Sequence, residues 1–257
     1  MLSVLQTIMA DVGIDYTTLL IMMFAAFITA VFHSVSGLAG ALLLVIALAP
    51  ILEIKTVVPV VAVAVIISNL TRLWVFRREL VTPIFISLIV TALPGMVIGA
   101  LGFVYLPVNT IVLLLGIFMT VAVPGRRIMK NRGIKVGRAG FSAIGPVYGV
   151  VSGMTMGAGL LLAPFFLGAG LVSGQIIAMT AALGVTLNIT KTIIFGASPL
   201  LNIPLIAIGI IMGLCTIPGA FAGRWILQRT PIRIHTLLVE GVILGGAVFF
   251  FIQVLSN

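Results

Sequence analysis

Polar residues are so sparse along this chain that it divides into apolar runs, at about 16–52, 56–76, 81–104, 107–125, 139–171, 175–197, 202–224 and 234–255. The runs are continuous rather than alternating, which predicts helices and excludes a β-barrel. Most match the roughly 20 residues that cross a hydrocarbon core about 30 Å thick at 1.5 Å per residue. Runs 16–52 and 139–171 are too long for one crossing. Each is interrupted near its middle by glycine and serine. The first carries His33-Ser34-Val35-Ser36-Gly37-Leu38-Ala39-Gly40-Ala41 and the second Val151-Ser152-Gly153-Met154-Thr155-Met156-Gly157-Ala158-Gly159. Each long run is therefore expected to be two short helices meeting at a Gly-rich break.

Charge decides how these runs cross. If each long run returns to the side it entered from, the segments at 76–80, 125–138 and 224–233 share one face. That face then collects Arg77, Arg78, Arg126, Arg127, Lys130, Arg132, Lys135, Arg138, Arg224, Arg229 and Arg233, leaving Lys55, Glu53, Asp11 and Asp15 opposite. A single crossing by each long run would scatter the basic residues over both faces. The excess of Lys and Arg on cytoplasmic loops favours the first arrangement. It puts the N-terminus outside, in a bacterial inner membrane, and the basic loops in the cytoplasm.

The membrane portion is also written twice. Asn69-Leu70-Thr71-Arg72 returns as Asn188-Ile189-Thr190-Lys191, and Pro94-Gly95-x-x-x-Gly99 as Pro218-Gly219-x-x-x-Gly223. Ser36-Gly37-x-x-Gly40-Ala41 returns loosely as Ser152-Gly153-x-x-x-Gly157-Ala158, all at offsets of roughly 120 residues. With a returning hairpin plus three spans in each half, the second copy enters the membrane upside down. The expected fold is an all-α polytopic membrane protein of two inverted-topology repeats, with about 8 to 10 helices. A parallel four-plus-four repeat is the other arrangement the spacing allows. The organisation follows: an N-terminal interfacial segment at 1–15, a first repeat at 16–125, a basic cytoplasmic loop at 126–138 and a second repeat at 139–255.

Composition agrees. Mean hydropathy is +1.37 and 7% of the 257 residues are charged, too few to cover a soluble domain of this size. The net charge of +9 reads as a topology signal rather than a nucleic-acid surface. The one cysteine, Cys215, sits in an apolar run and reads as packing.

Irregular backbone at membrane depth survives only where protein or water satisfies it. Two breaks at matching positions therefore nominate a binding site built from Ser36, Gly37, Gly40, Ser152, Gly153, Thr155 and Gly157. Half-helix N-termini converging there would attract an anion, with Ser36, Ser152 or Thr155 as caps. The plainer reading is close helix packing. Arg72 and Lys191, matched across the repeat, would serve as cationic ligands, each with an asparagine one turn earlier: Asn69 with Arg72, Asn188 with Lys191. Thr71 and Thr190 face elsewhere. Arg72 lies five residues from Arg77 and has the plainer reading of a snorkelling cation; Lys191 has no basic neighbours. His33 and Glu240 are the proton-coupling candidates, although Glu240 also reads as a structural partner for Arg72 or Lys191. His235 falls in a basic loop and reads as exposed. The Pro-Gly-x-x-x-Gly segments read as kinked helices with a small-residue packing face. No metal-ligand cluster, P-loop or nucleophilic triad is present in the sequence, so no cofactor, metal or catalysis is expected.

The stretch Ser36-Gly37-Leu38-Ala39-Gly40-Ala41-Leu42-Leu43-Leu44 and its echo from Ser152 through Pro164 resemble the doubled Gly-rich signature of the sulfite exporter TauE/SafE family, also called the 4-toluene sulfonate uptake permeases. The resemblance spans about residues 16 to 255. Leu38, Ala39 and Leu42 stand where the family's first copy is often richer in glycine. The resemblance implies a secondary transporter of sulfite, sulfoacetate or related organic anions, working by alternating access with proton coupling suspected. A channel or carrier for another small anion or neutral solute is the alternative. Expected partners are the anion and the bilayer, with a homodimer as an option and no nucleic acid.

Overall fold

The structure is a computed structural model that describes residues 2–36, 40–131, 136–227 and 232–255. Among these run α1 (Leu2–Val12), α2 (Tyr16–Ser36), α3 (Gly40–Leu48), α4 (Ile54–Phe76), α5 (Thr82–Tyr105), α6 (Val108–Asn131), α7 (Arg138–Met154), α8 (Gly159–Gly168), α9 (Ser173–Gly196), α10 (Ile203–Leu227) and α11 (Ile232–Leu255). A single 3-10 turn follows α4 at Arg77–Glu79. Six of these helices are long and apolar enough to cross a membrane. The chain is an all-helical, multi-pass membrane protein.

The second long run breaks where glycine and serine interrupt it, α7 giving way to α8. In the first, α2 and α3 lie on either side of residues 37–39, which fall outside the described residues. With 9 and 10 residues, α3 and α8 rise only about 14 and 15 Å, half the hydrocarbon core. The segment expected as a loop at 126–138 is instead helical as far as Asn131, because an amphipathic, Arg- and Lys-rich end suits the last turn of a helix leaving the bilayer. Arg132, Lys135 and Arg229 lie outside the described residues.

Element ends are finished by local chemistry. Asp15 Oδ1 accepts the Thr18 N–H at 2.8 Å and starts α2, and this bonding holds the Asp15 carboxyl below its usual range. Lys55 Nζ donates to Val104 O at 3.3 Å, placing a cation at the C-terminal end of α5. Arg77 stacks over Trp74, 4.4 Å from the ring centroid, and finishes the end of α4.

Glycine sets the packing. α5 lies against α7 with backbones in contact: a Cβ on Gly149 would fall 2.0 Å from Ala92 O, one on Gly95 2.2 Å from Pro146 O, and one on Gly99 2.2 Å from Val150 O. α10 lies against α2, with Gly219 facing Phe27 O. The Pro-Gly-x-x-x-Gly helices therefore do carry small-residue packing faces. α4 crosses α9 and packs on α10; α6 packs on α11 and α8. Phe103 meets Phe195 at 5.2 Å between ring centroids. At another edge, the Glu79 carboxylate rests against Gly174 in the first turn of α9. Cys215 is partly buried against the main apolar cluster.

Candidate functional site

A cavity of about 60 Å³ lies where α4 crosses α9, beside the second break and the facing parts of α2 and α3. α2 contributes His33; α4 contributes Val65, Asn69 and Arg72; α7 contributes Tyr148 and Ser152. Thr155 to Gly159 form one wall, and α9 adds Thr180, Gly184, Leu187, Asn188 and Lys191. Of the residues nominated from sequence, Asn69, Arg72, Ser152, Thr155, Gly157, Asn188, Lys191 and His33 meet here. Among the described lining residues there is no carboxylate.

Lys191 is buried, 1% exposed, and its Nζ donates to Thr155 O at 2.8 Å beside Met156 Sδ at 3.2 Å. Thr155 follows the last turn of α7, so the ammonium sits at the negative, C-terminal end of that helix. A carbonyl and a thioether do not neutralise it. Arg72 turns into the cavity rather than toward the Arg77 end of its helix. Its Nη1 meets His33 Nε2 and lies 3.4 Å from Asn69 Oδ1. Each cation thus reaches back to the break nearest it in sequence. Asn69 is held against Gly184, where a Cβ would sit 2.3 Å from its Nδ2, and Asn188 Nδ2 donates to Gly184 O at 2.7 Å. Thr71 and Thr190 donate to the carbonyls one turn back and do not line the cavity.

The start of α8 has no side-chain cap: Leu160 and Leu161 N–H donate to Gly157 O and Ala158 O, which leaves the Gly159 N–H without a partner among the described residues. The Thr155 hydroxyl donates to Val151 O instead. Ser152 remains within α7. Gly157, Ala158 and Gly159 line the cavity and bring it the positive end of α8. Gly157 has φ +78° and faces Leu42 of α3, so the second break needs glycine there. At the first break the start of α3 is capped by His33: Gly40 N–H donates to its Nδ1 at 3.0 Å.

Other nominated residues fall elsewhere. Gly153 is a packing residue, its Cβ position 2.6 Å from Met96 O and Ala100 N of α5. Gly40 lines a neighbouring chamber of about 20 Å³ with Thr29, Ser68, Thr216 and His33. Glu240 pairs with Arg127 across α6 and α11, not with Arg72 or Lys191. Gly37 and the side chain of Ser36 lie outside the described residues. Tyr148, Thr180 and Gly184 were missed. Continuing the Asn188–Lys191 stripe back one and two turns reaches Gly184 and Thr180, and Tyr148 stands one turn before Ser152.

Residues 22–250 match the family model for the sulfite exporter TauE/SafE. The chain belongs to the TauE/SafE family. No curated protein and no solved structure matches it. As a TauE/SafE protein it is a membrane transporter, and the resemblance noted in its glycine signature is borne out along nearly its full length.

Proposed function

We propose that this TauE/SafE protein carries a small sulfur-containing anion, of the sulfite or organosulfonate type, across the bacterial inner membrane by alternating access. One observation carries the proposal: Lys191 is buried without a carboxylate partner among the described residues, in a cavity that also holds Arg72 and the uncapped start of α8. An intramembrane cation of this kind costs roughly 3 kcal/mol or more unless something compensates it. The Thr155 carbonyl offsets part of that cost but leaves the charge without a counter-charge; a bound anion supplies one.

Size supports an oxyanion. A water needs about 15 Å³ of such space, so about 60 Å³ accommodates about four water-sized groups. Sulfite, with four heavy atoms, fits that space; an arylsulfonate does not without opening the site.

The proposed scaffold is a pair of inverted repeats, α2–α6 and α7–α11. Two reciprocal helix pairings and two further contacts support it. α5 on α7 is answered by α10 on α2, and α6 on α8 by α11 on α3, as an exchange of halves requires. The turn at Arg77–Glu79 touches the start of α9, and Phe103 touches Phe195. Both contacts suit a chain whose broken runs return to the side they came from, with the N-terminus outside. If a proton accompanies the anion, His33 is the candidate at the site; Glu240 is engaged with Arg127.

Purified protein in proteoliposomes tests the function. Saturable sulfite flux with counterflow by unlabelled sulfite is expected. Unitary currents would replace the carrier with a channel, and absence of any flux or binding across sulfite, thiosulfate, sulfoacetate and taurine would reject the anion reading.

A further inference from the structure

Among the described residues, the two ring nitrogens of His33 meet donors on both sides. Gly40 supplies the first N–H of α3, which has no acceptor within its own helix. His33 Nδ1 accepts it at 3.0 Å. A Cβ on Gly40 would fall 2.2 Å from His33 Cβ, so the ring stands directly on the backbone of the break. A ring nitrogen that accepts holds no proton, and a neutral ring then carries its proton on Nε2. Nε2 faces Arg72 Nη1, a nitrogen that only donates. Two N–H groups therefore confront each other at the cavity wall. Moving the proton to Nδ1 transfers the conflict to Gly40, whose N–H also only donates.

The two contacts are not equally able to open. Gly40 is backbone, held against the ring by its own lack of a side chain. Arg72 reaches His33 from a different helix on a long, adjustable side chain. We infer that His33 is a direct ligand of the transported anion, its Nε2–H and the Arg72 Nη1–H jointly grasping one oxygen. An oxygen placed between the two nitrogens accepts from both and ends the conflict, while Lys191 remains for another oxygen. The role differs from proton carriage, since the nitrogen that binds is the one that keeps its proton. The arrangement has no twin. The Ser36–Ser152 offset aligns His33 with Gly149, a glycine packed against Ala92 O. The site is thus asymmetric on a scaffold proposed to be symmetric, and one end of the anion meets an imidazole.

The inference rests on the anion reading, and the experiment separates the two. Sulfite affinity is measured on the full-length protein in detergent for the unaltered chain, His33→Leu, His33→Gln and Lys191→Met, with monodispersity and Tm checked for each. Gln offers an N–H donor near the position of Nε2 and a carbonyl for Gly40; Leu offers neither. His33→Leu should bind sulfite roughly 10- to 100-fold more weakly, as expected for a lost hydrogen bond to a charged group, with His33→Gln close to the unaltered protein. If both His33 variants bind normally while Lys191→Met does not, the His33 assignment is overturned and the anion reading stands. If both His33 variants fail equally, the donor role is overturned. If the unaltered chain binds no sulfite, both readings fall.

Discussion

Replacing Lys191 with methionine should uncouple stability from binding. In the folded protein the ammonium is 1% exposed and makes one carbonyl hydrogen bond, to Thr155 at 2.8 Å. Holding a lysine charge at bilayer depth costs roughly 3 kcal/mol, and a hydrogen bond from a charged donor returns about 1.5–3 kcal/mol. Methionine has similar length, removes both terms and leaves a thioether beside Met156. The two terms oppose each other, so stability should change by about 1.5 kcal/mol or less. For a chain of this size that moves Tm by about 6 °C at most. Anion affinity has no such cancellation. Loss of a charge-assisted hydrogen bond worth about 1.5–3 kcal/mol weakens Kd roughly 10- to 150-fold. Two assays on one preparation read both quantities: thermal unfolding without ligand, and the sulfite-dependent rise in Tm, which follows mass action. A variant that unfolds more than about 10 °C early yet binds sulfite with unchanged affinity would refute the reasoning. Lys191 would then be only a cap for α7.

Glycines at the second break give a matched pair. Gly157→Ala forces a left-handed φ on a residue with a side chain and brings its Cβ 2.8 Å from Leu42 Cβ, so a loss of about 2–4 kcal/mol is expected from chemical or thermal unfolding. Gly159→Ala, with nothing within 4 Å of its Cβ position, should be nearly neutral by the same measurement. Glu240→Gln removes the pair with Arg127; a small fall in Tm with unchanged sulfite affinity is expected, and a lost proton dependence of transport would return Glu240 to the coupling role. A cysteine at exposed Ser173, in a Cys215→Ala background, should react with a membrane-impermeant maleimide only from the cytoplasm; labelling from outside would rule out the inverted topology.

The features legible in the sequence are those that local chemistry determines. A run too long for one crossing, interrupted by Gly and Ser, forecast the α7–α8 break. A cation three residues after an asparagine marked the faces of α4 and α9 that line the cavity. What was not legible depends on which helix meets which. Gly153 looked like part of the site because it lies in a Gly-rich motif. Its spacing from Gly145 and Gly149 belongs to the face that packs on α5, a four-residue row that the sequence did contain. The partner of Glu240 could not be read without knowing that α6 lies beside α11. The cap of α3 was sought among hydroxyls, the common N-cap residues, and is an imidazole seven positions upstream.

The helix pairings also bear on how the protein is made. α2 finds its glycine-lined partner in α10, where Gly219 meets Phe27 across roughly 190 residues of chain. At about 5–20 residues per second, some 10–40 s of synthesis separate the two. Throughout that interval Phe27 and Ala30 of α2 face lipid or the insertion machinery instead of their final neighbour. α5 waits less, since α7 follows after one intervening helix. Assembly should therefore proceed with the α5–α7 pairing first, and α2 should be among the last of these helices to settle.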